Sequence, residues 1–141
     1  MPARPRRRVL IADDNRDGAE SLAQLVAMWD HDVIAVLHDG REAFQAAERR
    51  QPDIALLEIG MPGWNGYEVA KRIRTASWGW SVKLIAITGW GSLDALQHAL
   101  DSGFDGHLTK PCTPTAWLRS SQTLQRRRHE FPTYSAGDIE G

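Results

Sequence analysis

The sequence has little of what characterises secreted, membrane-spanning or repetitive proteins. Its 141 residues include a single cysteine, Cys112, which excludes an intramolecular disulfide framework and favours a reducing compartment. No apolar run approaches the ~18 residues of a membrane span. The first residues lack the longer apolar segment and the small-residue cleavage site of a signal peptide. We therefore expect a soluble, cytoplasmic protein with no membrane contact.

The chain also has almost no net charge: its 17 Lys and Arg residues and 18 Asp and Glu residues give a formal charge of −1 at pH 7. The balance is uneven along the chain, since seven arginines lie near the two ends: Arg4, Arg6, Arg7, Arg8, Arg126, Arg127 and Arg128. Residues 9–125 carry 10 basic and 15 acidic residues, a net charge of −5. An acidic body argues against a nucleic-acid-binding surface across the domain. We expect no nucleic-acid partner.

Short apolar runs alternate with helical patterns over about 120 residues, which fits one domain. Nearly continuous runs predict strands that are covered on both faces, as in a parallel sheet. The predicted strands are Val9–Ala12, Val33–Leu37, Ile54–Leu57, Leu84–Ile87 and, more weakly, Gly106–Thr109. Helices with apolar stripes lie between them, so the sequence predicts an open α/β sandwich. Ligands bind such folds at the carboxyl ends of the strands.

The last two predicted helices have start or end signals. Ser92 is a helix cap, with Leu93, Leu96, Ala99 and Leu100 expected inward and Gly103 just past the end. Thr113 followed by Pro114 predicts the start of a fifth helix.

Charged and hydroxyl side chains follow the predicted strands at their carboxyl ends. Asp13 and Asp14 follow the first strand, Glu58 the third, Thr88 the fourth and Lys110 the fifth. Carboxylates brought together repel each other unless a cation compensates them, which indicates a hard divalent metal, a lysine, or both. Mg²⁺ is the candidate cofactor. The hydroxyl and the ammonium suit a phosphoryl-like anion.

Four segments resemble the receiver domain of two-component response regulators: VLIADDN, PDIALLEIGMPGWNGYEVAKRIR, LIAITGWG and GFDGHLTKP. The resemblance implies a flavodoxin-like, doubly wound parallel sheet of five strands in the order 2-1-3-4-5, with five helices. It covers residues 8–125, preceded by a basic disordered N-terminus at 1–7 and followed by a polar C-terminal tail at 126–141.

The resemblance also implies roles for individual residues. Asp13 and Asp14 match the acidic pair that binds magnesium, and Gly60 falls where a backbone carbonyl is a further metal ligand. Thr88 matches the switch hydroxyl that turns toward the phosphoryl group. Lys110 matches the phosphate-contacting lysine, followed by an expected cis peptide bond to Pro111.

Two positions depart from the family pattern. Glu58, also a candidate metal ligand, stands where the family has its phospho-acceptor aspartate, and we expect aspartate-type phosphorylation to be absent or very poor. The longer carboxylate is expected to reach Lys110 or Thr88 and to imitate a phosphoryl group in part; the resting state stays open at this stage. His107 stands at the family's switch aromatic. It is interpreted as a partly exposed strand histidine or, alternatively, as a pH-sensitive switch.

The leading interpretation is a stand-alone receiver module that acts through protein–protein interaction, without phosphorylation and without enzymatic activity. The resemblance implies a histidine kinase or another two-component signalling protein as partner, with a homodimer as a further candidate. The alternative is a magnesium-dependent phosphotransfer or phosphatase enzyme that uses the same acidic pocket. Trp64, Trp78, Trp80 and Trp90 are interpreted as local packing or, alternatively, as a partner-binding patch.

Overall fold

The computed structural model describes residues 6–89 and 92–110, together with the backbone of residues 133–134. Strands and helices alternate along the chain, and all five predicted strands are present. The elements are β1 (Arg8–Ala12), α1 (Arg16–Met28), β2 (Asp32–Leu37), α2 (Gly40–Arg50), β3 (Ile54–Glu58), α3 (Gly66–Thr75), a 3₁₀ turn (Gly79–Ser81), β4 (Lys83–Thr88), α4 (Leu93–Ser102), β5 (Gly106–Thr109) and β6 (Thr133–Tyr134).

The strands form one parallel sheet in the order β2-β1-β3-β4-β5-β6. Its first five strands confirm the flavodoxin-like, doubly wound order. β6 is an addition that the sequence did not predict, since its two residues fall in the segment expected to be a polar tail. No helix within residues 6–89 and 92–110 is long and apolar enough to cross a membrane.

The sheet is covered on both faces, which is why its central strands are continuously apolar. Alternate residues of β1 face opposite cores: Leu10 packs in a cluster with residues of α2 and α3, and Ile11 in a cluster with residues of α1. All of β4 and the first four residues of β3 are buried. For the central strands β1, β3 and β4, burial on both faces leaves the strand ends as the part open to ligands.

Side-chain caps define where the four α-helices begin. Asn15, Asp39, Asn65 and Ser92 each accept a hydrogen bond from the backbone N–H three residues later. Gly103 ends α4 with a φ of 108°, a left-handed conformation that favours glycine. The predicted cap and stop of α4 are thus confirmed.

The prediction that Leu93 points inward is wrong, because its side chain is 84% exposed. The face of α4 that meets the core contains Ala99 and Ser102, with Ala95 partly buried one turn earlier. Leu93 lies two residues before Ala95, about 200° around the helix, and so faces the opposite side.

Several predictions fall outside the described residues. They concern the fifth helix from Thr113, the Lys110–Pro111 peptide bond, Cys112, Trp90 and the terminal arginine clusters other than Arg6, Arg7 and Arg8.

Candidate acidic pocket

Four of the predicted site residues meet at the carboxyl edge of the sheet. Asp13 directly follows β1, Glu58 and Thr88 end β3 and β4, and Lys110 directly follows β5. These strands are neighbours and parallel, so their carboxyl ends lie side by side. The Lys110 N–H donates to the carbonyl oxygen of Thr88 at 2.9 Å, which ties the segment after β5 to the end of β4.

The Lys110 ammonium lies between two carboxylates. Its Nζ is 3.0 Å from Oδ2 of Asp13 and 3.0 Å from Oε2 of Glu58. The side chains of Asp13 and Glu58 are 2% and 14% exposed, whereas that of Lys110 is 34% exposed. Burial reduces screening by water, so one ammonium holds together two carboxylates that would otherwise repel each other.

Further contacts hold Asp13 in place. Its side-chain Oδ1 accepts a hydrogen bond from the Asn15 N–H at 3.0 Å, and its backbone carbonyl oxygen lies 2.9 Å from Nδ1 of His38. On α1, Gly18 leaves room for the carboxylate, because a Cβ at that position would lie 3.2 Å from Asp13 Oδ2. Sequence reasoning missed Gly18 and His38; a glycine one turn into a helix beside an acidic pair was the available signal.

The Lys110 ammonium does not fully compensate the negative charge of the pocket. Burial raises the pKa of Glu58; Lys110 opposes this, and the charges of Asp13 and Asp14 add to it. Burial alone would lower the pKa of Lys110, but its hydrogen bonds to Asp13 and Glu58 outweigh burial, so the pKa is raised. Lys110 is thus paired with Asp13 and Glu58, and the charge of Asp14 acts on Glu58 in addition.

As arranged, the Asp13 and Glu58 carboxylates, which the resemblance assigns to a magnesium site, are paired with the Lys110 ammonium. Within residues 6–89 and 92–110, no group of three or more carboxylate, imidazole or thiol side chains is placed to hold a metal ion. Asp14 is exposed, Gly60 lies in an exposed bend after β3, and the Lys110 ammonium already bridges Asp13 and Glu58. A divalent cation would have to displace that ammonium.

Close backbone packing determines the path of the loop after Glu58. The Ile59 N–H donates to the carbonyl of Ile87, and the Gly66 N–H donates to the carbonyl of Ile59. A Cβ at Gly66 would lie 2.6 Å from the carbonyl oxygen of Glu58, so only glycine allows this close approach. The loop thereby fixes where the Glu58 side chain begins.

His107 is buried and only 1% exposed, so the prediction of a partly exposed histidine is wrong. It is paired with Ala86 of β4 and with Thr133 of β6, inside the sheet. Neither ring nitrogen has a hydrogen-bond partner in the described part of the chain. Burial lowers the pKa of His107 to about 4, so the ring is neutral between pH 5.5 and 8, where the alternative expectation required it to titrate.

Two of the tryptophans pack locally around Phe44. Trp64 makes an edge-to-face contact with Phe44 at 5.9 Å, and Trp78 lies 6.1 Å from the same ring. The guanidinium of Arg72 also lies 3.9 Å from the Trp64 ring centre. Trp80 is 77% exposed on the 3₁₀ turn. The local-packing interpretation holds for Trp64 and Trp78.

A stacked pair that the sequence did not predict joins α3 to α4. The rings of Tyr67 and His98 are 3.6 Å apart and inclined by 14°. Because Tyr67 directly follows Gly66, this pair connects the loop after Glu58 to the helix that follows β4. The spacing of the two residues along the chain carried no signal for the contact.

Comparison with known proteins agrees with this geometry. The response regulator receiver domain family matches residues 9–120. The DNA-binding response regulator MtrA of Mycolicibacterium smegmatis is 31% identical over 137 residues, which cover 96% of this chain and 58% of that protein. The transcriptional regulatory protein LnrK of Bacillus subtilis is 35% identical over 118 residues, which cover 83% of this chain and 53% of that protein.

Solved structures show the same fold. The chemotaxis response regulator CheY4 of Vibrio cholerae is similar with a TM-score of 0.78 and 25% identity, over 85% of this chain and 99% of that one. The chain spans somewhat more than half the length of the two curated relatives.

Proposed function

This chain belongs to the response regulator receiver family, and from that premise we propose that it signals through protein–protein contacts without phosphorylation of its own pocket. In this proposal Glu58 occupies the position of the phospho-acceptor, and Lys110 serves as its permanent counterion. The observation that carries the proposal is the single ammonium lying 3.0 Å from both Glu58 and Asp13.

Two physical effects act against phosphoryl transfer to Glu58. The extra methylene moves the carboxylate outward by ~1.5 Å, and misplacement on that scale costs in-line transfer about 100-fold. In addition, the attacking oxygen is engaged by the ammonium that the family uses to contact the phosphoryl group. A carboxylate paired with an ammonium is a weak nucleophile. The same pairing means that the Lys110 ammonium is not free to neutralise an incoming phosphoryl group.

The same ion pair supplies part of what phosphorylation supplies elsewhere in the family. It draws Lys110 toward the end of β3, while the backbone of Lys110 stays bonded to Thr88 at the end of β4. A carboxylate carries less charge and fewer acceptor oxygens than a phosphoryl group. We propose that this ion pair keeps the pocket in one fixed state, and that expression or another signal controls when the module acts.

Receiver domains interact with histidine kinases and other signalling proteins, and we propose a two-component signalling protein as the partner here. A second copy of the chain is the alternative partner. The two relatives are named as a DNA-binding regulator and a transcriptional regulator, but the net charge of −5 over residues 9–125 supports contact with protein rather than nucleic acid.

The test is treatment of the chain with a small-molecule phosphodonor and Mg²⁺, followed by intact-mass spectrometry. We expect no phosphoryl adduct on the unmodified chain and a labile adduct on the Glu58→Asp variant, because aspartate restores the length that in-line transfer needs. Glu58→Gln is the matched control that removes the charge and keeps the length. A stoichiometric adduct on Glu58 of the unmodified chain would overturn the proposal.

A further inference from the structure

The described α-helices differ in the sign of their charge. α1 has one basic and two acidic residues, and α4 has two acidic residues and no lysine or arginine. By contrast, α2 and α3 together have six basic and three acidic residues, a net charge of +3. Arg74 is turned inward to Asp105, and the other five cations are exposed: Arg41, Arg49, Arg50, Lys71 and Arg72. The exposed residues of α2 and α3 thus form a basic face on a body whose residues 9–125 have a net charge of −5.

Two cations of this α2–α3 face share one aromatic ring. The guanidinium carbon of Arg72 lies 3.9 Å from the ring centre of Trp64, and that of Arg41 lies 5.1 Å from it. Both distances are within the range of a cation–π interaction. Because Arg41 belongs to α2 and Arg72 to α3, the indole holds like charges from two helices beside each other. We refer to Arg41, Trp64 and Arg72 as the guanidinium cluster.

Close packing fixes the ring on which the cluster is built. The ring centres of Trp64 and Phe44 are 5.9 Å apart in an edge-to-face contact. A Cβ at Gly40 would lie 1.7 Å from the carbonyl oxygen of Trp64, so the loop before α3 is pressed against the start of α2. A fixed ring restricts the two arginine side chains before any ligand arrives, which lowers the entropic cost of binding.

Most of the hydrogen-bonding capacity of the cluster is unused. Within residues 6–89 and 92–110, the Arg72 side chain donates to Glu68 alone, at 3.1 Å, and the Arg41 side chain makes no hydrogen bond or ion pair. An open depression of ≈ 550 Å³ lies beside Arg41 and is bounded by Pro62 and Gly63. The remaining guanidinium N–H groups therefore suit a carboxylate that arrives from solvent.

We propose that the guanidinium cluster is a docking site for an acidic segment of a partner protein, whose carboxylates accept hydrogen bonds from Arg41 and Arg72. This inference rests on the proposed interaction function and names a surface that serves it. Charge complementarity selects the occupant, since this face is basic and the body around it is acidic. Nucleic acid fits less well, because Asp39 and Glu42 border the same depression and would face its phosphates.

The test compares two double variants of the full chain that lose the same charge. Arg41→Gln with Arg72→Gln removes the two cations on the Trp64 ring. Arg49→Gln with Lys71→Gln is the matched control, because it removes two exposed cations from the same helices and leaves the cluster intact. The probe is a fluorescent peptide in which Glu and Ser alternate, with Gln in place of Glu in the neutral reference peptide. Anisotropy measures binding, and the NMR signal of the Trp64 indole N–H reports its location.

We expect the acidic peptide to bind the Arg41/Arg72 variant about tenfold more weakly than the Arg49/Lys71 control, because two ion pairs are lost. The peptide should shift the Trp64 indole signal in the control and leave it unchanged in the Arg41/Arg72 variant. Equal weakening in both double variants would overturn the inference, since net charge alone would then explain binding. Failure of the acidic peptide to bind the unmodified chain, or equal binding of the neutral peptide, would overturn it as well.

Trp64→Leu is a second variant that keeps both arginines and removes the ring that holds them. We expect it to weaken peptide binding about threefold, with unchanged amide signals in β1 and β3 as evidence of an intact fold. An unchanged affinity would contradict the role of the ring.

Two further results would assign the cluster to a different occupant and so overturn the inference. Duplex DNA that binds the same residues more tightly than the acidic peptide would indicate nucleic acid. A concentration-dependent dimer that is lost only in the Arg41/Arg72 variant would indicate a second copy of the chain. The phosphodonor test on Glu58 is independent of all these results, because an adduct there would refute the proposed function and leave the cluster unaffected.

Discussion

The two ends of the sheet differ in how completely their buried charges are paired. At the amino edge, the Arg74 guanidinium donates to the carbonyls of Gly103, Gly79 and Val82 at 2.7–2.8 Å. The guanidinium also pairs with the Asp105 carboxylate at 2.5 Å. That carboxylate in turn accepts a hydrogen bond from the Leu84 N–H at 2.9 Å. Charge and hydrogen-bonding capacity are matched there.

At the carboxyl edge, by contrast, Asp13 and Glu58 share one ammonium and a third carboxylate, Asp14, lies close enough to raise the pKa of Glu58. The amino edge is satisfied and structural, since its partners lie at the start of β4 or in the segments that lead into β4 and β5. At the carboxyl edge the described residues leave an excess of negative charge, which burial and the neighbouring carboxylates register as a raised pKa of Glu58. The difference shows that the number of ion pairs alone does not say how fully the buried charges are compensated.

The largest expected effect is at the amino edge. Arg74→Ala should lower the free energy of unfolding by about 4 kcal/mol, because it leaves a largely buried carboxylate and several carbonyls without their partner. Urea unfolding at neutral pH measures it. Arg72→Ala is the control: its pair with Glu68 is about half exposed, and we expect a loss of about 1 kcal/mol or less, including its contact with Trp64. Equal losses in the two variants would break the comparison.

The next effect concerns His107, which is buried inside the sheet between the two edges. Its folded pKa of about 4 lies below the ordinary value of 6.5, so between these values the unfolded chain holds a proton that the folded chain does not. Stability should therefore fall as the pH drops from 6.5 to 4, with His107 contributing about 3 kcal/mol. His107→Phe removes this contribution. Unfolding free energies at pH 7 and pH 4.5 should differ less in the variant than in the unmodified chain; an unchanged difference would contradict the burial of a neutral ring.

The smallest effect is expected at the carboxyl edge, where Lys110 lies between two carboxylates. Lys110→Ala leaves Asp13 and Glu58 facing each other without the shared cation and should lower stability at neutral pH by about 2 kcal/mol. Mg²⁺ at millimolar concentration should then raise the melting temperature of the variant, while the unmodified chain responds little because its ammonium occupies the position between the carboxylates. Lys71→Ala, which removes an exposed lysine of α3, is the control for loss of a lysine. Equal stabilisation of all three chains by Mg²⁺ would contradict this role of Lys110.

Much of the fold was predictable because its signals are local. Continuous apolar runs located all five main strands, and the caps at Ser92 and Gly103 were correctly placed. Leu93 was wrongly predicted because an apolar residue in a helix does not reveal which stripe meets the core when several stripes are possible. β6 was missed because a two-residue strand has no periodicity of its own.

The candidate site was predictable in composition and not in geometry. That Asp13, Glu58, Thr88 and Lys110 meet at one edge follows from parallel strands and their order, as the structure confirms. That His107 is buried does not follow, because a short strand at the edge of a sheet is exposed or covered according to elements far away in the chain. The Tyr67–His98 stack is also a long-range contact, formed between two separate helices.

By itself, then, the sequence determined the five main strands, their alternation with helices and the chemical groups at the strand ends, because apolar periodicity and capping act within a few residues. Only the tertiary structure decided how those groups are partnered. It placed one ammonium at 3.0 Å from two carboxylates and left His107 without a hydrogen-bond partner among the described residues. The physical reason is that partnering and burial depend on distances between segments brought together by packing, and the identity of a residue does not contain those distances.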